Sequence, residues 1–345
     1  MKSLADKYLP AKFLNELDRI LNGHNGFHAT RKKGKASSKT RIERASFYRL
    51  AFAQLFEMGY RLASPRNLGS RHIEMLVQRW YQEGIAIITL HTRVSFLRTF
   101  CGWINKPGMV QDVHDYLPNK DVRRRTVAQR NRAWLPNGVE AAGVIARARE
   151  IDERLAVMLS LEDAFGLRMK EAIEMRPAWC RTESGTALNI HEGTKGGRWR
   201  QVPIDTDYKR EVFEWALRVA AAGKTGRIRW PGRTWTQAKR RYYYLLAEKL
   251  GVNLNDLGVT SHGLRHGYAQ EKYQDLTGLP PPIAGADPKQ VDLEKHREAG
   301  IEVSRDLGHG RLAVTTSYYG SHGHALRKPK QQDQHPVNSG QGEAK

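Results

Sequence analysis

The sequence predicts a mainly α fold with a small β-sheet, arranged as a helical domain followed by a mixed α/β domain. Length supports two domains, since 345 residues stand against roughly 150 per domain. Apolar residues recur at helical spacing, most clearly at Leu90, Val94, Leu97, Cys101 and Ile104, in steps of four, three, four and three. Two short segments break that rhythm. TALNI (186–190) and WRQVPI (199–204) alternate with a period of two, as strands do.

Taken in order, residues 4–22 predict a helix, with Leu4, Leu14, Leu17 and Ile20 among its apolar positions and Gly23 after its end. The basic stretch 24–41 is too polar to pack; it is either a solvated linker or a segment that tracks a phosphate backbone. Three helices follow at about 40–58, 69–83 and 87–104. Their polar faces are expected to offer Arg41, Arg44, Arg49, Arg93 and Arg98. Pro107, Gly108 and Pro118 punctuate the chain, and the charged, aperiodic stretch 119–132 predicts a linker. From Trp134 the pattern reads helix, break, helix, turn, helix, then the two strands, joined by HEGTKGGR (191–198) as a glycine-bearing hairpin. Further helices are expected at about 206–222, 235–250, 261–274 and 287–306. The expected divisions are 1–37 (N-terminal helix and basic linker), 38–118, 119–133 (linker), 134–325 and 326–345 (disordered polar tail).

Charge narrows the partner. Lysine and arginine number 57 against 36 acids, a formal net charge of +21, which implies a polyanion, with nucleic acid ahead of an anionic membrane. No apolar run approaches the ~20 residues of a membrane span. The opening MKSLADKYLPAKFLNEL lacks the apolar core of a signal peptide. Cys101 and Cys180 form neither a disulfide framework nor a metal-ligand spacing, so a reducing cytoplasm is expected. There is no G-x-x-x-x-G-K-[ST] loop, no H-E-x-x-H and no acidic cluster of the two-metal type. His322 and His324 form an H-x-H pair in the tail, but neither a metal nor a cofactor is expected.

The second domain does carry a scattered set of cations and one tyrosine. Arg168 lies in FGLRMKEA with Glu171 following at helical spacing, and Lys195 lies at the hairpin tip in GTKGGRWRQVPI. His262 and Arg265 lie in TSHGLRHGYA, three residues apart and on one helix face. His309 lies in DLGHG, and Tyr318 follows nine residues later. Singly, each is ordinary: a salt-bridged arginine, a solvated turn, a helical pair. Their order and joint presence carry the information.

That set resembles the tyrosine recombinases, the family of the phage integrases and of the Xer and Cre recombinases. Its pattern runs G-[LVI]-R-x-x-E, a lysine in a G-K-G-like hairpin before a basic strand ending in Val-Pro, H-x-x-R, L-G-H and V-T-x-x-Y. GLRMKE, GTKGGRWRQVPI, SHGLRH and LGHGRLAVTTSY match in that order, over roughly 134–320. Over 38–105 only the helical pattern and LRTFCGWI suggest the family's core-site-binding domain. The resemblance implies a helical core-binding domain followed by a tyrosine-recombinase catalytic domain. It implies a site-specific recombinase or integrase acting through a 3′-phosphotyrosine, for integration and excision of a phage or mobile element.

It also implies roles. Arg168 and Arg265 clamp the scissile phosphate, since arginine presents paired donors in fixed geometry. Lys195 protonates the leaving 5′-oxygen, while His262 and His309 bond the phosphate and manage the nucleophile's proton. Glu171 buttresses the arginines, and Tyr318 attacks and holds the DNA 3′-phosphate. Tyr319 packs against the domain. Arg41, Arg44, Arg93 and Arg98 contact DNA. The implied partners are double-stranded DNA bearing recombination sites, three further copies in a homotetramer on two sites, and an accessory DNA-bending or directionality protein. The implied location is the bacterial cytoplasm, at the nucleoid. Two alternatives remain open: a non-catalytic DNA-binding protein of this fold, and a DNA-relaxing enzyme like the type IB topoisomerases. Two features depart from the family: the long segment 277–300 with three consecutive prolines, either a surface insertion or an added contact, and a tail after Tyr319 with little apolar surface for docking onto a neighbouring subunit.

Overall fold

The computed structural model describes residues 3–27, 34–287, 290–309 and 312–323. The chain separates into two compact units, Met1–Arg125 and Thr126–Lys345. The expected tail 326–345, His324 and part of the basic stretch 24–41 lie outside the described residues.

The first unit is helical: α1 (Leu4–Tyr8), α2 (Ala11–His24), α3 (Ser38–Glu57), α4 (Ser70–Gln82), α5 (Ile87–Trp103) and α6 (Val113–Tyr116). The helix expected over 4–22 is two helices. Leu9 is extended (φ −91°, ψ 125°) because it precedes Pro10, whose ring disfavours helical backbone in the preceding residue. Ser37 caps α3 by accepting from the Thr40 amide. Phe13 and Leu17 of α2, Phe52 and Leu55 of α3, Trp80 of α4 and Phe100 of α5 are buried in one core. Each such side chain contributes roughly 1.5–3 kcal/mol of burial. Helix α2 thus packs with α3, Phe13 meeting Phe52 at 5.1 Å. Inside this core the Trp80 indole donates to Gln54 at 2.9 Å, which satisfies both buried groups. Val122, within the expected linker, is also buried here.

The second unit is built on α7 (Ala141–Ile151), α8 (Glu153–Phe165), α9 (Met169–Glu174), α10 (Pro177–Cys180), α11 (Asp207–Ala221), α12 (Trp235–Tyr244), α13 (His262–Thr277), α14 (Leu293–Asp306) and α15 (Thr316–Tyr319). Helix α8 is the central post: Leu155 to Leu161 are all buried, with α7, α11 and α13 packed around it. Strands β1 (Ala187–Ile190) and β2 (Arg200–Pro203) pair antiparallel, Leu188 opposite Val202 and Ile190 opposite Arg200. That parity turns Leu188, Ile190, Val202 and Arg200 toward the core together. Helix α12 ends in a π turn at Leu245–Lys249. Helix α14 starts at Leu293, later than expected, where the Asp292 side chain accepts from the Lys295 amide. Of the three prolines before it, Pro282 opens a short 3-10 turn, Pro282–Ala284, and Pro281 is its extended N-cap. Among the described residues, no helix is long and apolar enough to cross a membrane.

Candidate active site

Three arginines converge on one carboxylate. Glu171 is 1% exposed. Its Oε1 accepts from Arg168 Nη1 at 2.7 Å, and its carboxylate takes both Nη atoms of Arg200 at 3.1 and 2.8 Å. Arg265 Nη1 stands 4.0 Å away. Burial alone would raise this acid; the bonds and charge of Arg200, then Arg168 and Arg265, outweigh it and hold it down at about 2. The placement is local in origin. Gly166 ends α8 in the left-handed region (φ +58°), and a Cβ there would meet the Tyr268 ring at 2.5 Å. The turn it makes sets Arg168 at the N-terminus of α9, where the Glu171 carboxylate also bonds the Arg168 amide at 2.9 Å.

Arg265 is fully buried on α13. Its Nη1 donates to the Gly166 carbonyl and its Nη2 to the Leu307 carbonyl, to which Arg168 Nη2 also donates at 3.3 Å. Burial lowers its guanidinium to about 10, which leaves it cationic at neutral pH. Its remaining donors reach two groups: Nε points to the Tyr318 hydroxyl at 3.4 Å, and Nη2 to His309 Nε2 at 3.3 Å. Since arginine can only donate, His309 Nε2 must be the unprotonated acceptor. Burial first, then the charges of Arg265, Arg168, Arg200 and Lys195, lower His309 to about 3 and keep it neutral. His262 is exposed, with its ring 5.8 Å from that of Tyr318.

Tyr318 and Tyr319 point different ways, as adjacent helical residues must. Tyr318 places its hydroxyl on Arg265 and its ring 5.4 Å from His309. Tyr319 is 1% exposed and stacks on Tyr273 at 4.8 Å, its hydroxyl 3.2 Å from that of Thr315. Lys195 stands exposed at the hairpin tip, in a 3-10 turn with Gly196 and Gly197. It reaches the cluster through its charge on His309, and no hydrogen bond joins it to the other site residues among those described. Between hairpin and cluster lies a cavity of about 630 Å³ lined by Trp199, Arg200, Arg305 and His309, among others. No group of three potential metal-ligating residues occurs among those described; His322 instead sets its Nε2 2.8 Å from the Val291 carbonyl.

Arg200 was not singled out from the sequence. The signal was there, since Arg200 shares strand parity with Val202 and therefore the core face. The DNA contacts expected of the first unit divide. Arg41 is exposed. Arg98 is exposed but tied to the Val110 and Gln111 carbonyls and to Asp112 at 3.0 Å. Arg93 is half-buried, its guanidinium 5.0 Å from the Trp80 ring. Arg44 is a correction: it is 4% exposed, donates to the Phe27 carbonyl at 3.1 Å and lies 5.8 Å from the Trp103 ring. It is committed to the first unit's interior and has no free face for DNA.

A family model described as Integrase matches residues 125–271, and one described as Phage integrase, N-terminal matches residues 25–109. Tyrosine recombinase XerC of Stutzerimonas stutzeri (strain A1501) is 24% identical over 247 residues, 68% of this chain and 78% of that protein. XerC of Neisseria gonorrhoeae is 24% identical over 238 residues, 64% of this chain and 73% of its own. Among solved structures, lambda integrase (75–356), a dimer bound to a COC′ core site, aligns with a TM-score of 0.57 at 17% identity, covering 92% of this chain and 99% of that one. XerH bound to palindromic difH aligns at 0.54 and 17%, covering 90% and 92%. The Tn1549 transposon integrase with transposon right-end DNA aligns at 0.54 and 12%, covering 89% and 95%. With both units matched by integrase family models, and XerC among its relatives, the chain belongs to the tyrosine recombinase family, that of the phage integrases.

Proposed function

We propose that this chain is a site-specific DNA recombinase that integrates and excises a phage or mobile element, with Tyr318 as the nucleophile. One observation carries the chemistry: three guanidiniums, Arg168, Arg200 and Arg265, share the single carboxylate of Glu171. Buried charges are normally balanced. Here about two positive charges are left over beside a tyrosine hydroxyl. A phosphodiester carries one negative charge and gains a second as the phenol adds, so the surplus suits the transition state better than the ground state.

In this reading Tyr318 Oη attacks the scissile phosphorus, the bond to the DNA 5′-oxygen breaks, and a 3′-phosphotyrosine forms. Arg168 and Arg265 face the non-bridging oxygens. His309, neutral and with Nε2 unprotonated, can hold the proton that the phenol gives up, once the phosphate has drawn Arg265 away. His262 stands at the open side of the same ring cluster and bonds the phosphate. Lys195, on its exposed hairpin, supplies the proton to the leaving oxygen. Attack by the 5′-hydroxyl of another strand reverses the bond. Arg41 and Arg98 support DNA contact by the first unit.

The element-specific role draws support from the match of residues 25–109 to a phage-integrase N-terminal model and from the fold shared with the Tn1549 transposon integrase. The DNA-bound dimer and Holliday-junction tetramer of lambda integrase support assembly as a tetramer on two sites. The test pairs two duplexes carrying sites selected by the protein from fragments flanking its own gene. Recombinant products are expected. Relaxation of supercoils without exchange marks a topoisomerase-like enzyme, and a gel shift without covalent adduct marks a binder.

A further inference from the structure

Helix α13 turns more than Arg265 toward Tyr318. His266 and Gln270 follow His262 at i+4 and i+8, so the three share one helical face. His266 is 3% exposed, and its ring lies 4.6 Å from the Tyr318 ring, tilted by 36°. Its ring also approaches the Tyr318 main chain, while its Nδ1 is buried with no hydrogen-bond partner. Gln270, 7% exposed, donates from Nε2 to the Tyr318 carbonyl at 3.0 Å. Its amide is itself fixed by a reciprocal pair with Asn131, at 2.8 and 3.0 Å.

A buried nitrogen without a partner is destabilising, and an apolar side chain would fill the same space without that penalty. Histidine is therefore poorly explained here by packing. What it supplies is a polar edge toward the Tyr318 main chain together with a flat ring against the phenol's face. We propose that His266 and Gln270 are positioning residues for Tyr318, holding its main chain and one ring face so that the hydroxyl meets Arg265. Nucleophile placement is demanding, since a misplacement of about 1 Å can cost ~10²-fold in rate. His266 is not the proton carrier: burial, then the charges of His262 and Arg132, keep it neutral down to about 3. The inference rests on Tyr318 being the nucleophile.

The experiment measures the single-turnover rate of covalent adduct formation by the full chain on a nicked duplex. The duplex is one that the protein selects from fragments flanking its gene. His266→Leu is expected to slow the rate roughly 10–100-fold at unchanged DNA affinity and with a melting temperature no lower than wild type. His266→Asn, which keeps an N–H donor, recovers part of the rate. Gln270→Ala slows it as well, and the double variant loses less than the product of the single losses, because both act on the placement of one residue, Tyr318. The shape of the pH–rate profile stays that of wild type in every variant. A wild-type rate in His266→Leu, a loss matched by weaker DNA binding, or fully multiplicative losses overturn the proposal. If His266→Leu does not fold, Gln270→Ala decides alone: a wild-type rate there overturns it. Wild type and Tyr318→Phe run alongside. No adduct from wild type removes the nucleophile reading and this inference with it, whereas an adduct that Tyr318→Phe lacks and both positioning variants form at full rate removes this inference only.

Discussion

Removing the Glu171 carboxylate would strand Arg200, which is 4% exposed and relies on it for both Nη partners. Glu171→Gln should therefore cost about 3–5 kcal/mol, the range for breaking a buried ion pair from one side. The pH dependence has a definite sign. The folded-state value is lowered from 4.5 to about 2, so the stabilisation is complete above about 4.5 and is lost as pH falls through 2. Denaturant unfolding should show the gap between wild type and Glu171→Gln narrowing across that window; a gap that is constant with pH would show that the carboxylate's charge is not what stabilises. The arginines of the first unit should split in the same concrete way. Arg44→Ala should lower the melting temperature, through loss of the Phe27 carbonyl bond and the packing on Trp103, whereas Arg41→Ala should leave it unchanged and weaken DNA binding. Equal melting temperatures would contradict this. At this scale the sequence was legible by position more than by residue type. Arg44 precedes Phe47, Ala51 and Leu55 at helical spacing, so its phase placed it on the apolar face although its charge suggested the polar one. Arg200 is the strand counterpart. Motif spacing did separate Tyr318 from Tyr319, and the two rings do point into different surroundings.

Among the elements, the periodic ones were legible and the irregular ones were not. Helices α3, α4 and α5 and the hairpin strands fall within two residues of where apolar spacing put them. The break at Pro10 followed from local proline chemistry that the apolar pattern hides. The segment after Thr277 had no period to read. In the structure it seats the chain that follows the tyrosines. A Cβ on Gly320, which has φ +92°, would lie 2.9 Å from the Ile283 nitrogen, and His322 meets Val291. His322 also packs on His296, which in turn accompanies Tyr319 and Tyr273. This segment thus braces the tyrosine helix from within the same chain. Gly320→Ala should cost roughly 1–3 kcal/mol, since both its dihedral and its space exclude a side chain. It should also slow adduct formation by displacing α15. Calorimetry and the adduct assay check the two effects, and a full-rate variant would separate this segment from the chemistry.

For the whole molecule, the formal charge of +21 makes binding to DNA a salt-dependent event. Each neutralised phosphate contributes roughly −0.9 to the slope of log affinity against log salt. Six to ten contacts therefore give about −5 to −9. Fluorescence anisotropy from low to moderate salt measures it, and a nearly flat titration would contradict a phosphate-tracking mode. The mode of binding does not by itself establish chemistry; that rests on the tyrosine beside the surplus arginines. The most direct measurement of it is denaturing gel electrophoresis of duplex labelled at the 5′ end of the cleaved strand after incubation with wild type, Tyr318→Phe and Tyr319→Phe. Wild type and Tyr319→Phe should each yield a protein–DNA adduct stable to denaturant, and Tyr318→Phe should bind the duplex yet yield none. An adduct from Tyr318→Phe, or one lost only in Tyr319→Phe, would contradict Tyr318 as the nucleophile.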